Sequence, residues 1–113
     1  MTVARIDYVE LPAREFAAAR DFYVAAFDWQ MTDYGPDYAC TTTGDVDLGL
    51  SGDMAEASAA PLPVIRVDDL EAAADRVIAA GGSISRAIFA FPGGRRFHFR
   101  DPAGNELAVW KTE

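Results

Sequence analysis

The chain has 113 residues, half of them apolar and a quarter charged; that length makes a single domain the expectation, and the composition excludes a fibrous repeat or a disordered chain. Its net charge is −8, unevenly placed: residues 1–57 carry three Arg against eleven Asp and Glu, and residues 58–113 carry seven Lys and Arg against seven Asp and Glu. An acidic balance of this kind is repelled by a phosphate backbone or an anionic membrane surface, so neither nucleic acid nor membrane is an expected partner.

The apolar runs are shorter than a membrane span of about eighteen residues. Met1-Thr2-Val3-Ala4-Arg5 lacks a basic segment leading into an apolar core, so no signal peptide is expected. Cys40 stands alone, which excludes an internal disulfide and a thiolate metal cluster, and it reads as a small strand residue. The expectation is a cytoplasmic, bacterial protein.

Arg5 to Leu11 alternates with period two and stops at Pro12, which predicts a strand. Ala13 to Phe27 is rich in alanine, with Phe16, Ala19, Phe22, Tyr23 and Ala26 at helical spacing, which predicts an amphipathic helix. Trp29–Tyr34, Tyr38–Thr43 and Val46–Leu50 read as three short strands divided by Gly35-Pro36-Asp37 and Gly44-Asp45. Ser51 to Pro61 shows no period and reads as a linker. The pattern then restarts: a strand at Leu62–Val67, a helix at Asp69–Ala80 with Asp68 or Asp69 as its N-cap, and a stop at Gly81-Gly82. Three further strands follow at Ser83–Phe91, Arg95–Arg100 and Glu106–Lys111.

An offset of 54 lays Tyr8 on Leu62, Phe16 on Leu70, Asp21 on Asp75 and Ala25-Ala26 on Ala79-Ala80. The expected fold is therefore α+β, a tandem βαβββ repeat with modules 1–51 and 62–113 and a linker at 52–61. Two curved mixed sheets would form a cleft, with one helix on the outside of each. An unrelated α+β domain with two similar helices is the competing reading.

Period two assigns faces. Val9, Leu11, Ile65, Val67, Phe97, Phe99, Leu107 and Val109 belong under the helices. Ile6, Tyr8, Glu10, Leu62, Val64, Arg66, Arg96, His98, Arg100, Glu106, Ala108 and Trp110 belong on the open faces, joined by Asp47 and Gly49. That open surface is either an ordinary ion-pair network or a preformed site with an aromatic wall and polar anchors. His98 lies between basic neighbours, whose charge would keep it neutral; it is either structural or a general base. Pro92-Gly93-Gly94-Arg95-Arg96 reads as a basic hairpin tip and lacks the ending of a phosphate loop.

Three segments carry a family resemblance: Ile6-Asp7-Tyr8-Val9-Glu10-Leu11 before a helix ending Arg20-Asp21-Phe22-Tyr23; Val67-Asp68-Asp69-Leu70-Glu71 running to Ala79-Ala80-Gly81-Gly82; and Phe99-Arg100-Asp101-Pro102-Ala103-Gly104-Asn105-Glu106-Leu107. With them the duplicated plan resembles the vicinal oxygen chelate superfamily of glyoxalase I, bleomycin-resistance proteins and extradiol dioxygenases. Metal-dependent members hold a divalent ion with a His on the first strand of each half and a carboxylate on the last. The resemblance places those positions at Tyr8, Leu62, Ala108 and about Gly49. None is a competent first-choice ligand, since three lack a donor atom and a neutral phenol binds divalent ions poorly. No metal and no other cofactor is expected; a displaced cluster of Glu10, Asp47, His98 and Glu106 is the competing arrangement.

The leading expectation is a metal-independent, bleomycin-resistance-like protein that binds a small organic molecule in the cleft. Tyr8, Leu62, Arg66, Arg96, Ala108 and Trp110 would line it, Trp29 would add a stacking surface, and Arg66, Arg96 and His98 would anchor a polar group. The alternatives are a glyoxalase-like lyase or isomerase using Glu10, Glu106 or His98 as acid or base, and a protein-interaction module with a vestigial cleft. The resemblance also implies a homodimer.

Overall fold

The structure, a computed structural model, describes residues 4–113; the expectation resting on Met1-Thr2-Val3 lies outside the described residues. In chain order the elements are β1 (Arg5–Pro12), α1 (Phe16–Phe27), β2 (Thr32–Asp33), β3 (Tyr38–Cys40), β4 (Asp47–Ser51), β5 (Leu62–Arg66), α2 (Leu70–Ala79), β6 (Ser83–Phe91), β7 (Gly94–Arg100) and β8 (Glu106–Thr112). They make an α+β fold that divides into two compact units, one spanning Asp7–Leu62 and one centred on Pro63–Glu113.

Each unit has the connectivity βαβββ. In the first unit the strand order is β2-β3-β4-β1, with β1 parallel to β4 and the other pairs antiparallel. In the second it is β6-β7-β8-β5, with β5 parallel to β8 and the other pairs antiparallel. The two halves thus repeat one topology, as the 54-residue offset predicts. The parallel strand in each closes the crossover through its helix.

The second unit owns the better-formed helix. Asp69 caps α2 by accepting from the backbone N–H of Ala72 at 3.0 Å, Glu71 lies in the first turn and Arg76 in the last, all favourable to the helix dipole. The helix ends where the Gly82 N–H reaches the Val77 carbonyl at 2.9 Å, after Gly81 turns the chain at φ +102°. Leu70 and Ala73 pack onto Val67, Phe97 and Val109, with Ile65, Val77, Ile84, Ile88 and Phe99 around them. The faces assigned to Ile65, Val67, Phe97, Phe99 and Val109 hold.

Helix α1 departs from expectation. It begins at Phe16, because the Ala13 N–H is drawn to the Ser51 carbonyl at 2.8 Å and extends the β1–β4 ladder by one bond. None of its residues is buried among the described residues. Phe22 and Phe27, 58% and 57% exposed, pack instead with Tyr23 and Trp29 along the helix surface, Trp29 stacking on Tyr23 at 5.6 Å and 7°. That backward stacking leaves only Thr32–Asp33 of the Trp29–Tyr34 segment as a strand. Trp29 is accordingly engaged by Tyr23 and Phe27.

Two loops show how local chemistry fixes the chain. Asp47 gathers the turn at 41–44: one carboxylate oxygen accepts from the Thr41 hydroxyl (2.8 Å) and from the Thr43 amide and hydroxyl (each 2.7 Å), the other from the Gly44 amide (3.1 Å). Burial works to raise its pKa, but these bonds together hold it below the usual carboxylate range. Asp47 is thus a loop-building residue, not an open-face ligand. Asp101 does the same for the Asp-Pro-Ala-Gly-Asn turn, accepting from the amides of Ala103 and Asn105 at 2.9 Å each, while Gly104 turns at φ +91°.

Candidate functional site

In the second unit, register brings a consistent set of side chains to the sheet face opposite α2. Arg66, Trp110, Arg96 and Phe89 form one cross-strand row over β5, β8, β7 and β6, and Val64, Ala108, His98 and Arg86 form the next. Aromatic rings and guanidiniums alternate along the first row and spill into its neighbours. The Arg66 guanidinium carbon lies 5.1 Å from the Trp110 ring centre, Trp110 and Phe91 are 6.2 Å apart, and Arg96 sits 5.6 Å from Phe91 and 5.3 Å from Phe89. Arg86 approaches Phe89 to 3.7 Å. Ring quadrupoles attract such cations, which lets three like charges share one face.

His98 lies within this ladder and is 3% exposed. Its Nδ1 is 3.5 Å from Glu106 Oε2, and the same oxygen accepts from the Ser85 hydroxyl at 2.9 Å. A carboxylate offers only lone pairs, so Nδ1 is the nitrogen that carries the proton and Nε2 is left with its lone pair. Nε2 is buried and has no hydrogen-bond partner among the described residues. Burial first, and then the charge of Arg96 with a smaller contribution from Arg86, hold the imidazole below the usual histidine range; Glu106 opposes them without prevailing. His98 is therefore a neutral buried base.

Two β-bulges on β6 complete the arrangement. The β6–β7 register slips between Ile84 and Arg86, and again between Arg86 and Phe89. Strict alternation would place Arg86 with Ile84 and Ile88 against α2. The slips instead set Arg86 opposite His98 on the other face, beside Phe89 opposite Arg96 and Ser85 bonded to Glu106, both of which alternation already places there. The sequence reading missed Ser85, Arg86, Phe89 and Phe91. A charged residue between Ile84 and Ile88 on an otherwise apolar parity was the available signal.

Leu62 and Ala108 are fully buried, and Val64 is 3% exposed; among the expected lining residues Arg66 remains exposed, while Arg96 and Trp110 are partly so. Arg66 also donates to the Thr112 hydroxyl at 3.3 Å, and Arg100 caps the Gly104 carbonyl at 3.1 Å. Arg95 is no free hairpin charge: it pairs with Glu71 at 2.7 Å and with Glu113.

The first unit holds a different cluster. Tyr8 and Tyr38 share a 2.5 Å hydrogen bond between their hydroxyls, and Tyr38 donates to Glu10 at 3.0 Å. Glu10 is 7% exposed, so this phenol satisfies a buried carboxylate. Burial, reinforced by Tyr38, keeps the Tyr8 phenol far above its ordinary range and so neutral. A Cβ at Gly49 would fall 1.9 Å from the Tyr8 hydroxyl and 2.5 Å from that of Tyr38. Tyr8 thus fills the space a longer side chain at Gly49 would need.

These observations test the metal that the fold implies. Of the four positions, Leu62 and Ala108 bury hydrocarbon, Gly49 has its side-chain space taken by a phenol, and Tyr8 is neutral and hydrogen-bonded. Among the described residues no group of three or more His, Cys, Asp or Glu is placed to hold an ion. The side chains at these positions do not fit a divalent cation.

Two βαβββ units of one strand order define a duplicated glyoxalase-type α+β fold. The family model of the glyoxalase/bleomycin resistance protein/dioxygenase superfamily matches residues 5–109, and the chain belongs to that superfamily. A curated relative from Mycobacterium bovis, named "Putative glyoxylase CFP32", is 28% identical over 117 residues, covering 94% of this chain and 45% of its own length. The chain thus spans under half the length of that relative. Among solved structures, a glyoxalase/bleomycin resistance protein/dioxygenase superfamily member from Vibrio splendidus aligns with a TM-score of 0.74 at 21% identity, covering 96% of this chain and 99% of that one. Methylmalonyl-CoA epimerase from Mycobacterium tuberculosis aligns with a TM-score of 0.74 at 14% identity, covering 96% and 87%. At these identities the likeness is one of fold.

Proposed function

We propose that the protein is a metal-independent, bleomycin-resistance-like member of its superfamily that binds a small aromatic anion on the guanidinium–aromatic face of the second unit. The observation that carries this reading is the ladder of Arg66, Trp110, Phe91, Arg96, Phe89 and Arg86. A planar anion matches it twice, stacking on the rings and pairing with the guanidiniums. Tyr8, Leu62 and Ala108, expected beside them as lining residues, serve packing in this reading.

The test is a fluorescence titration of a Trp29→Phe variant, which leaves Trp110 as the single reporter, with para-nitrobenzoate. Saturable quenching is expected, unchanged by a chelator and weakened about tenfold or more by Arg96→Gln, the loss of one charge-assisted pair. Binding that requires a divalent ion, or that ignores Arg96, overturns the proposal.

The alternative of a glyoxalase-like lyase or isomerase draws its support from His98, whose Nε2 is buried and unpartnered. Glu106 serves that reading as the group that orients His98. Glu10, the third base of that reading, accepts from Tyr38 at Oε2.

A further inference from the structure

We infer that the solvent face of α1 is a docking site for a partner protein, and that the partner presents a basic amphipathic helix. This face belongs to the first unit, and its occupancy is independent of the ligand face proposed for the second. A helix in an α+β fold ordinarily buries an apolar stripe. Helix α2 buries Leu70 and Ala73, whereas α1 buries none among the described residues. What α1 shows instead is a continuous aromatic surface. Phe22 meets Tyr23 edge-on with ring centres 5.1 Å apart, Tyr23 stacks on Trp29 at 5.6 Å, and Trp29 lies 5.4 Å from Phe27. Phe22, Phe27 and Trp29 are 58%, 57% and 37% exposed, and Val24 is 41% exposed. Apolar surface left in water in this way is stabilised when a partner covers it. Ala18, Phe22 and Ala25, all exposed, follow one helical face at i, i+4 and i+7. A ridge flanked by small residues suits the ridge-into-groove packing of a second helix.

Charge selects the partner. Residues 1–57 carry eleven Asp and Glu against three Arg. Asp28, exposed between Phe27 and Trp29 in the chain, is the C-cap of α1, and the last turn contains no basic residue. Its carboxylate adds to the negative end of the helix dipole, where a cation is favoured. A Lys or Arg arriving there gains that potential together with the neighbouring rings. Asp21, next to Phe22, keeps 73% of its side chain exposed and adds to the same field. Arg20 is the one cation on α1, and it is already bonded to Asp21 at 3.4 Å and Asp33 at 3.3 Å. The same helix on a second copy therefore has no spare cation to offer, and its acidic first half repels. A phosphate-bearing partner is repelled for the same reason.

The test is fluorescence anisotropy of a labelled Leu–Lys peptide with its leucines at helical spacing, titrated with the full chain. A Leu–Glu peptide of the same pattern and a scrambled Leu–Lys peptide are the comparisons. Saturable binding of the patterned Leu–Lys peptide is expected, weakening as salt is raised, with both comparison peptides about tenfold or more weaker. Phe22→Ser combined with Phe27→Ser lowers its affinity about tenfold or more, and Asp28→Asn about threefold. Both phenylalanines are exposed, so circular dichroism of the double variant should match the unsubstituted chain; if the double variant unfolds, unchanged affinity in Asp28→Asn overturns the inference by itself. Absence of binding overturns it, and so does binding that survives the double variant, because diffuse charge attraction then accounts for it. Equal binding of the Leu–Glu peptide overturns the basic partner. Self-association of the unsubstituted chain in sedimentation, lost in Phe22→Ser, makes a second copy the occupant and overturns the inference as well.

Discussion

Single atoms decide the character of both candidate clusters. At Gly49 the absent Cβ is what admits the Tyr8 hydroxyl, which would otherwise lie 1.9 Å away. Gly49→Ala is expected to cost about 1–3 kcal/mol in urea denaturation, the usual penalty for overpacking a fixed site. His98 gives a second consequence. It is the chain's only histidine, and its folded-state pKa is lowered by burial first and by Arg96 next. The unfolded chain therefore takes up a proton that the native state resists. Stability should fall as pH drops below about 6.5 towards 5, before most carboxylates titrate, and His98→Gln should flatten that slope. Denaturant midpoints across this window check it.

At the scale of elements, the two helices share a topology and differ in what they bury. Leu70 on α2 is fully buried against Phe97 and Val109, so Leu70→Ala is expected to cost about 2–5 kcal/mol. Phe22 on α1 is 58% exposed, and Phe22→Ser should stay within about 0.5 kcal/mol by the same denaturant measurement. Asp69 and Gly81-Gly82 announce α2 in the sequence because caps are local chemistry. The start of α1 is not legible in the helical spacing because the Ala13 amide is claimed by Ser51, 38 positions away in the chain, and no local signal records that. The bulges on β6 were hidden for a related reason. Alternation assumes an unbroken ladder, and the slip appears only when β6 is laid against β7.

For the molecule as a whole, the metal-free reading predicts that prolonged chelation leaves the melting temperature unchanged. A resident ion at a hundred times its dissociation constant would contribute about 2.7 kcal/mol, or roughly 10 °C in a domain of this size, and would be plain in a thermal scan. The sequence by itself determined the duplication, the α+β class, the superfamily and the lack of donor atoms at three of the four expected ligand positions. Those are matters of residue identity, spacing and period, which need no knowledge of distant partners. Tertiary structure decided that Leu62, Val64 and Ala108 are buried rather than exposed to a ligand. It also decided that Asp47 builds a loop, and that His98, Glu106, Ser85 and the arginine–aromatic ladder meet. Burial and register are sums over residues far apart in sequence, and only the folded chain performs them.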